Sequence, residues 1–352
     1  MRTPRARRAL DDIPVYRPGK AAASEDQKLS SNENPYDPLP GVVERASAEL
    51  GRINRYPDAG MTALYDALST RFGLSPDHFA AGTGSVAVLY ALLNAHLEAG
   101  DEIVYPWRSF EAYPIAADLT GATAVRVPLR PDATHDLDAM AAAITDRTRV
   151  VIVCTPNNPT GPVVKAAELD RFLAAVPPHV LVVVDEAYVE FIRDPDAADG
   201  LAVLAGHDNV VVLRTFSKAY GLAGLRVGYA IARPQVAEAI RKATPPFAVT
   251  DLSQAAAVAS LDSADALAER VEAIVQERDA MVGALREQGW DLPETQANFV
   301  WLPLGDDAME FAAWCDPISV RPFAGHGVRI SVGSPQANAA FLDRAATWLK
   351  EH

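Results

Sequence analysis

Three short runs limit the fold of this chain more than any other feature. VVIVC (150–154), VLVVV (180–184) and VVVL (210–213) are apolar and rich in β-branched residues, without the alternation of a half-exposed strand. Such strands are buried on both faces, as in a parallel sheet covered by helices. The intervening segments are long enough for helical crossovers, and 165–176 reads as one. Each run ends in polar residues: TPNNPTG (155–161), DEAY (185–188), and Thr215, Ser217 and Lys218. In open parallel sheets the carboxyl ends of the strands line the ligand crevice. Asn158, Asp185, Tyr188 and Lys218 therefore belong to one site. A carboxylate at the end of so apolar a strand needs a cationic or hydrogen-bonding partner.

The last of these ends carries the most chemistry. A lysine just past a buried strand starts in apolar surroundings, which lower its pKa and make it a usable nucleophile or base. Hydroxyls precede it, glycines follow it (Gly221, Gly224), and Arg226 comes eight residues later. Those are the groups a phosphate needs. Amine and phosphate site in one turn point to an aldehyde cofactor with a phosphate handle, held as a Schiff base. That cofactor is pyridoxal 5′-phosphate, and a protonated pyridine nitrogen suits Asp185. Further upstream, FAAGTGSVAVLY (79–90) puts Gly84 and Ser85 at a helix start, where backbone N–H groups form an anion site. The segment 82–87 also fits a loose dinucleotide pattern, a weak match because the preceding strand is poor.

Length bounds the remainder. A chain of 352 residues suits one large and one small domain. The net charge of −14 argues against nucleic acid and anionic membranes as partners. Cys154 and Cys315 read as thiols of a reducing compartment. No apolar run approaches a membrane span, and the basic N-terminus lacks the apolar core of a secretory signal. The chain reads as cytoplasmic, and no metal ligand set is found.

In order along the chain, residues 1–28 read as an irregular arm joining the small domain, with Tyr16 its aromatic. Turn-rich LSSNENPYDP (29–38) and NRYPDAG (54–60) flank a helical segment near 41–50, and a helix follows at 62–72. Tyr56 precedes a proline and is extended. The stretch 100–122 gives a strand, an aromatic-rich loop (Trp107, Phe110, Tyr113) and a helix. Aromatics beyond a strand end can stack on a planar ring. A strand at 122–127 and a helix at 136–143 follow. Beyond Phe247, a long helical stretch over about 251–288, strands near 298–302 and 327–332, and a helix at 337–350 read as a second, α+β domain. Arg321 and Arg329 stand out there, and Arg329 in its strand suits bidentate carboxylate recognition. The domains are thus the arm (1–28), a large unit (29–242) and a small unit (243–352).

NNPTG, DEAY, SKAYGLAGLR and the late GVRI, in this order and spacing, resemble the fold-type I pyridoxal-phosphate-dependent aminotransferases. RYPD and NENP are similar to the histidinol-phosphate aminotransferase subgroup. PVYRPGK, WRSFEAYP and QANFVWLPL are similar to actinobacterial aromatic amino acid aminotransferases within it. The resemblance covers nearly the whole chain and implies an α/β fold with a mostly parallel central sheet. It implies Lys218 as the Schiff-base lysine and proton shuttle, Asp185 on the ring nitrogen, and Tyr188 and Asn158 on the ring oxygen. Gly84, Ser85, Ser217, Arg226 and Thr215 would hold the phosphate, joined by Tyr56 from a neighbouring subunit of a homodimer. Phe110, with Tyr113 as the alternative, would stack on the ring. Arg329 would clamp the substrate carboxylate, with Asn158, Tyr16, Phe247 and Arg321 facing the substrate. The implied reaction moves an amino group between an aromatic amino acid and 2-oxoglutarate. Histidinol phosphate is the alternative substrate, with both arginines then facing its phosphate. A decarboxylase or lyase on the same fold is more remote.

Overall fold

The computed structural model describes residues 27–352 continuously, together with Pro4, Ala6, Arg7, Leu10 and Ile13. Tyr16 lies outside the described residues. The chain runs α1 (Val42–Ala48), α2 (Thr62–Phe72), β1 (Phe79–Gly82), α3 (Ser85–His96), β2 (Glu102–Trp107), α4 (Ala112–Thr120) and β3 (Thr123–Pro128). It continues with α5 (Leu137–Ala142), β4 (Thr148–Cys154), α6 (Ala166–Ala175), β5 (Leu181–Asp185), α7 (Gly200–Gly206), β6 (Val210–Thr215), β7 (Gly228–Ala232) and α8 (Pro234–Ala243). The last third holds α9 (Asp251–Asp262), α10 (Ala264–Gln288), β8 (Phe299–Gly305), α11 (Ala308–Trp314), β9 (Arg321–Phe323), β10 (His326–Ser331) and α12 (Pro335–Glu351).

Seven strands form one sheet in the order β1-β7-β6-β5-β4-β2-β3. The five from β6 to β3 are parallel, and β7 runs antiparallel to both its neighbours. Alternate residues of the valine-rich strands enter two separate apolar clusters. Val151, Val153, Val182, Val184, Val210 and Val212 pack on one side. Val150, Ile152, Cys154, Val183, Val211 and Leu213 pack on the other, with α3, α4 and α8. That double burial is why the runs show no alternation, and each fully buried aliphatic side chain contributes roughly 1.5–3 kcal/mol. The register sets Cys154 beside Asp185 and Asp185 beside Leu213, so the polar segments that follow emerge together.

A second, antiparallel sheet has the order β8-β10-β9. Val328 and Ile330 face the core, and β10 is buried on both sides from Gly327 onward. Several local expectations change. The helical stretch over 251–288 is made of two helices. Ser263 separates them, its Oγ donating to the Ala259 carbonyl (3.0 Å) and the Pro40 carbonyl (3.2 Å). A serine hydroxyl that takes up backbone carbonyls competes with helix continuation. α9 then packs on α1 and α2, whereas α10 packs on α12. The poor strand before Gly84 is a true edge strand, β1, whose Ala and Gly residues owe their extended form to pairing with β7. Strand β7, strand β9 and helices α7, α8 and α11 were not read from the sequence. Tyr113 belongs to α4 rather than to the preceding loop. The proline next to it sits in the first turn, where its missing N–H does no harm.

Candidate active site

The loops after β4, β5 and β6 open into a cavity of about 310 Å³ whose far wall comes from the second sheet. Lys218, Asp185, Asn158, Tyr188, Thr215, Ser217, Ser85, Phe110, Arg226, Arg321 and Arg329 all line it. The residues read from the three strand ends therefore converge.

Lys218 donates from Nζ to the Ser31 carbonyl at 3.2 Å. Burial, then the nearby positive charges of Arg329 and Arg226, lower its pKa from 10.5 to about 7. Glu33 opposes that shift only in part. An amine so placed is largely neutral at slightly alkaline pH, the state a nucleophile or base requires. Asp185, 6% exposed, moves the other way: burial raises its carboxyl from 3.8 to about 6. The Tyr113 hydroxyl, donating to its Oδ2 at 2.7 Å, and the Ala187 amide restrain that rise. Oδ1 is buried without a hydrogen-bond partner among the described residues. A buried acceptor left open in this way calls for a donor from a ligand. Tyr188 accepts from Asn32 Nδ2 at 2.9 Å, and burial raises its phenol to about 12.

At one end of the cavity a cup forms between β6, β7 and the start of α3. Arg226 donates to Ser217 Oγ at 3.2 Å and to the Ala223 carbonyl at 3.0 Å. Gly84 has φ +86°, and a Cβ there would collide with the Arg226 guanidinium. Gly228 is equally constrained, because a Cβ on it would run into the Ser85 amide. Two glycines thus let backbone, guanidinium and helix N-terminus close around one small volume, an anion site by its donors. Thr215 serves it indirectly: its Oγ1 accepts from the Ser217 amide at 3.1 Å and contacts the Val227 carbonyl at 3.4 Å.

At the other end stands Arg329, 8% exposed, which donates to Asn158 Oδ1 at 2.6 Å and to the Ser30 carbonyl at 2.7 Å. Arg321 donates to Glu111 Oε2 at 2.8 Å. Phe110 and Phe323 complete the wall. Of the two aromatics considered for ring contact, Phe110 faces the cavity, while Tyr113 is fully buried beneath it, edge-on at 5.6 Å. Tyr56 and Phe247 are not in this cavity. They stack on each other at 4.6 Å on the surface, Tyr56 being 79% exposed.

The family model of the class I and II aminotransferases matches residues 25–344. The chain belongs to the aminotransferase class I and II family. A relative from Streptomyces avermitilis named aromatic amino acid aminotransferase is 58% identical, over 99% of both chains. One of the same name from Mycolicibacterium smegmatis is 51% identical, over 98% of this chain and 96% of its own. Among solved structures, histidinol-phosphate aminotransferase from Sinorhizobium meliloti in complex with pyridoxal-5′-phosphate is 28% identical, with a TM-score of 0.87 over 99% of this chain and 98% of its own.

Within this aminotransferase, several site residues carried no sequence signal of their own. Asn32, in the left-handed region at φ +54°, takes Ser331 Oγ through both its amide (2.7 Å) and its Oδ1 (2.9 Å), and so fixes the donor that holds Tyr188. Asn34 Nδ2 donates to the Ala219 carbonyl at 2.9 Å and steadies the lysine turn. Both lie in SNENP, which reads from sequence as a turn and, through NENP, as part of the family resemblance, with no role for either asparagine. Glu111 was likewise hidden in an aromatic-rich segment, and Tyr113, read there as an alternative stacking ring, holds Asp185 instead. Among the described residues no helix is long and apolar enough to cross a membrane, and no acid, His or Cys cluster could hold a metal.

Proposed function

We propose that the chain binds pyridoxal 5′-phosphate at Lys218 and moves the amino group of an aromatic L-amino acid to 2-oxoglutarate. One observation carries the cofactor reading. A lysine with its pKa lowered to about 7 shares a cavity with a buried aspartate whose Oδ1 lacks a partner among the described residues. A ring N–H would supply the missing donor, and the Gly84, Ser85, Ser217 and Arg226 cup would take the phosphate. The substrate reading rests on the relatives at 48–58% identity, all named aromatic amino acid aminotransferase. Three structures named for histidinol phosphate are more distant, at 21–28% identity, and that alternative is not favoured.

When bound, the cofactor supplies a carbonyl for the substrate amine and a ring that takes up the electron pair released at the substrate α-carbon. The protein's part is to bind, orient and move one proton. Lys218, its amine free and neutral, would take the proton from the substrate α-carbon and return it to the cofactor's carbonyl carbon, on the other side of the substrate nitrogen, a contribution of typically ~10²–10⁴-fold. Asp185 holds a proton on the ring nitrogen, with Tyr113 fixing its carboxylate. Tyr188 and Asn158 would hydrogen-bond the ring oxygen, Phe110 would offer its face to the ring, and Thr215 supports Ser217. Arg329 pairs with the substrate α-carboxylate and Asn158 helps to orient it. Tyr16 and Arg321 belong to the substrate side.

The exposed Tyr56, beside Phe247, supports a homodimer in which Tyr56 reaches the phosphate of the partner subunit. Residues 29–242 then form the large unit and 243–352 the small one, joined by the arm 1–28, in a cytoplasmic enzyme. The test is to add the cofactor to purified protein and follow the visible band. Phenylalanine, and not histidinol phosphate at equal concentration, should bleach it. No band with cofactor would refute the cofactor reading, and the reverse preference would refute the substrate reading.

A further inference from the structure

The outer half of the cavity is rich in guanidinium groups. Arg321 and Arg329 line it, 5.8 and 5.9 Å from the centre of the Phe323 ring, and Arg108 lies 5.2 Å from the same ring without lining the cavity. A pocket bordered by so much positive charge should favour a phosphate or a second carboxylate on the substrate side chain. Glu111 changes this balance. It lines the cavity beside Phe110 and pairs with Arg321, and it also offsets the field of Arg321 at Arg108. Arg321 is 14% and Glu111 31% exposed at the side chain, so the pair is only partly screened by water.

We propose that Glu111 is a specificity-determining residue: by holding and neutralising Arg321, it makes the outer cavity prefer an uncharged aromatic side chain over an anionic one. This rests on the aromatic aminotransferase reading and deepens it. Phe110 and Phe323 offer apolar surface to the ring, while an anionic group must displace Glu111 from Arg321 before it gains a cation of its own. A dicarboxylate oxo acid serving as second substrate competes with Glu111 in the same way.

The test uses the holoenzyme and two unreactive ligands, 3-phenylpropionate and glutarate, which share one carboxylate and differ at the far end. Dissociation constants come from calorimetry. Glu111→Gln should tighten glutarate about tenfold, the scale of one partly screened charge pair, and leave 3-phenylpropionate within about twofold. Turnover of histidinol phosphate relative to phenylalanine should rise in parallel, and Glu111→Asp should keep the wild-type ratio. Equal weakening of both ligands would mark the pair as a structural clasp and overturn the proposal. Should Glu111→Gln fail to fold, Arg321→Gln decides. It leaves Glu111 facing the ligand and should weaken glutarate at least about tenfold, and unchanged glutarate binding would overturn the proposal. Wild-type enzyme that converts no aromatic amino acid would refute the underlying reading, while the two dissociation constants would still judge Glu111.

Discussion

Lys218 and Asp185 stand just beyond and at the ends of two neighbouring strands, β6 and β5, whereas Arg321 and Glu111 meet from a short edge strand and the start of a helix. The inner pair is positioned by backbone. Parallel register and double-sided burial leave those side chains one place to go, and the same burial shifts their pKa values in opposite directions. The outer pair is positioned by its own ion contact between residues 210 apart in sequence. Chemistry in this fold is therefore tied to strand ends, and choice of substrate to side chains that can change without disturbing the sheet.

If that contrast holds, the largest effect belongs to the inner half. Lys218→Ala should lower transamination by at least about 10³-fold, since nucleophile and proton carrier vanish together, while the far-ultraviolet circular dichroism stays unchanged. Replacing Arg329 with lysine should raise the KM of every amino acid about 10²-fold through loss of the bidentate fork, measured in steady state. The corresponding Arg321→Lys should change phenylalanine turnover no more than about threefold, as for a rim charge. Equal effects at the two arginines would break the comparison.

Proton linkage offers a third test, on apoprotein unfolded by urea at a series of pH values. The folded pKa of Lys218 is lowered from 10.5 to about 7, so the unfolded chain binds more protons between those values and stability rises with pH there. For Asp185 the folded pKa is raised from 3.8 to about 6, so the folded chain binds more protons in that window and stability falls as pH increases. Lys218→Met should remove the first slope and Asp185→Asn the second; an unchanged profile in either variant would refute the corresponding shift. An effect between those of the two arginines is expected of Tyr113→Phe. It should weaken cofactor affinity about tenfold, the loss of one hydrogen bond to a charged group, read from a titration of the visible band.

The same division explains how much could be read in the sequence. The strand-end residues were legible because three apolar runs imply a parallel sheet, and a parallel sheet implies a crevice at its carboxyl edge. Arg226 and Ser217 followed from their distance to Lys218. The Asn32 and Tyr188 bond was not legible, since 156 residues separate the partners and SNENP carries only turn chemistry. Tyr113 was placed one element too early because a proline beside it reads as a break, whereas in a first helical turn it is harmless. The Glu111 and Arg321 pair has no local signature at all. Strand β1, made of Phe, Ala and Gly, has low intrinsic preference for a strand and gains its form from β7.

Gly84 and Arg226 leave a trace in the order in which this chain could change over generations. The guanidinium occupies the volume a side chain at position 84 would need. Any lineage that exchanges Gly84 for a larger residue must first lose or redirect Arg226, and a lineage that loses Arg226 first gives up the guanidinium of the anion cup before gaining anything. Neither step is neutral alone, so the two positions are expected to drift together or not at all.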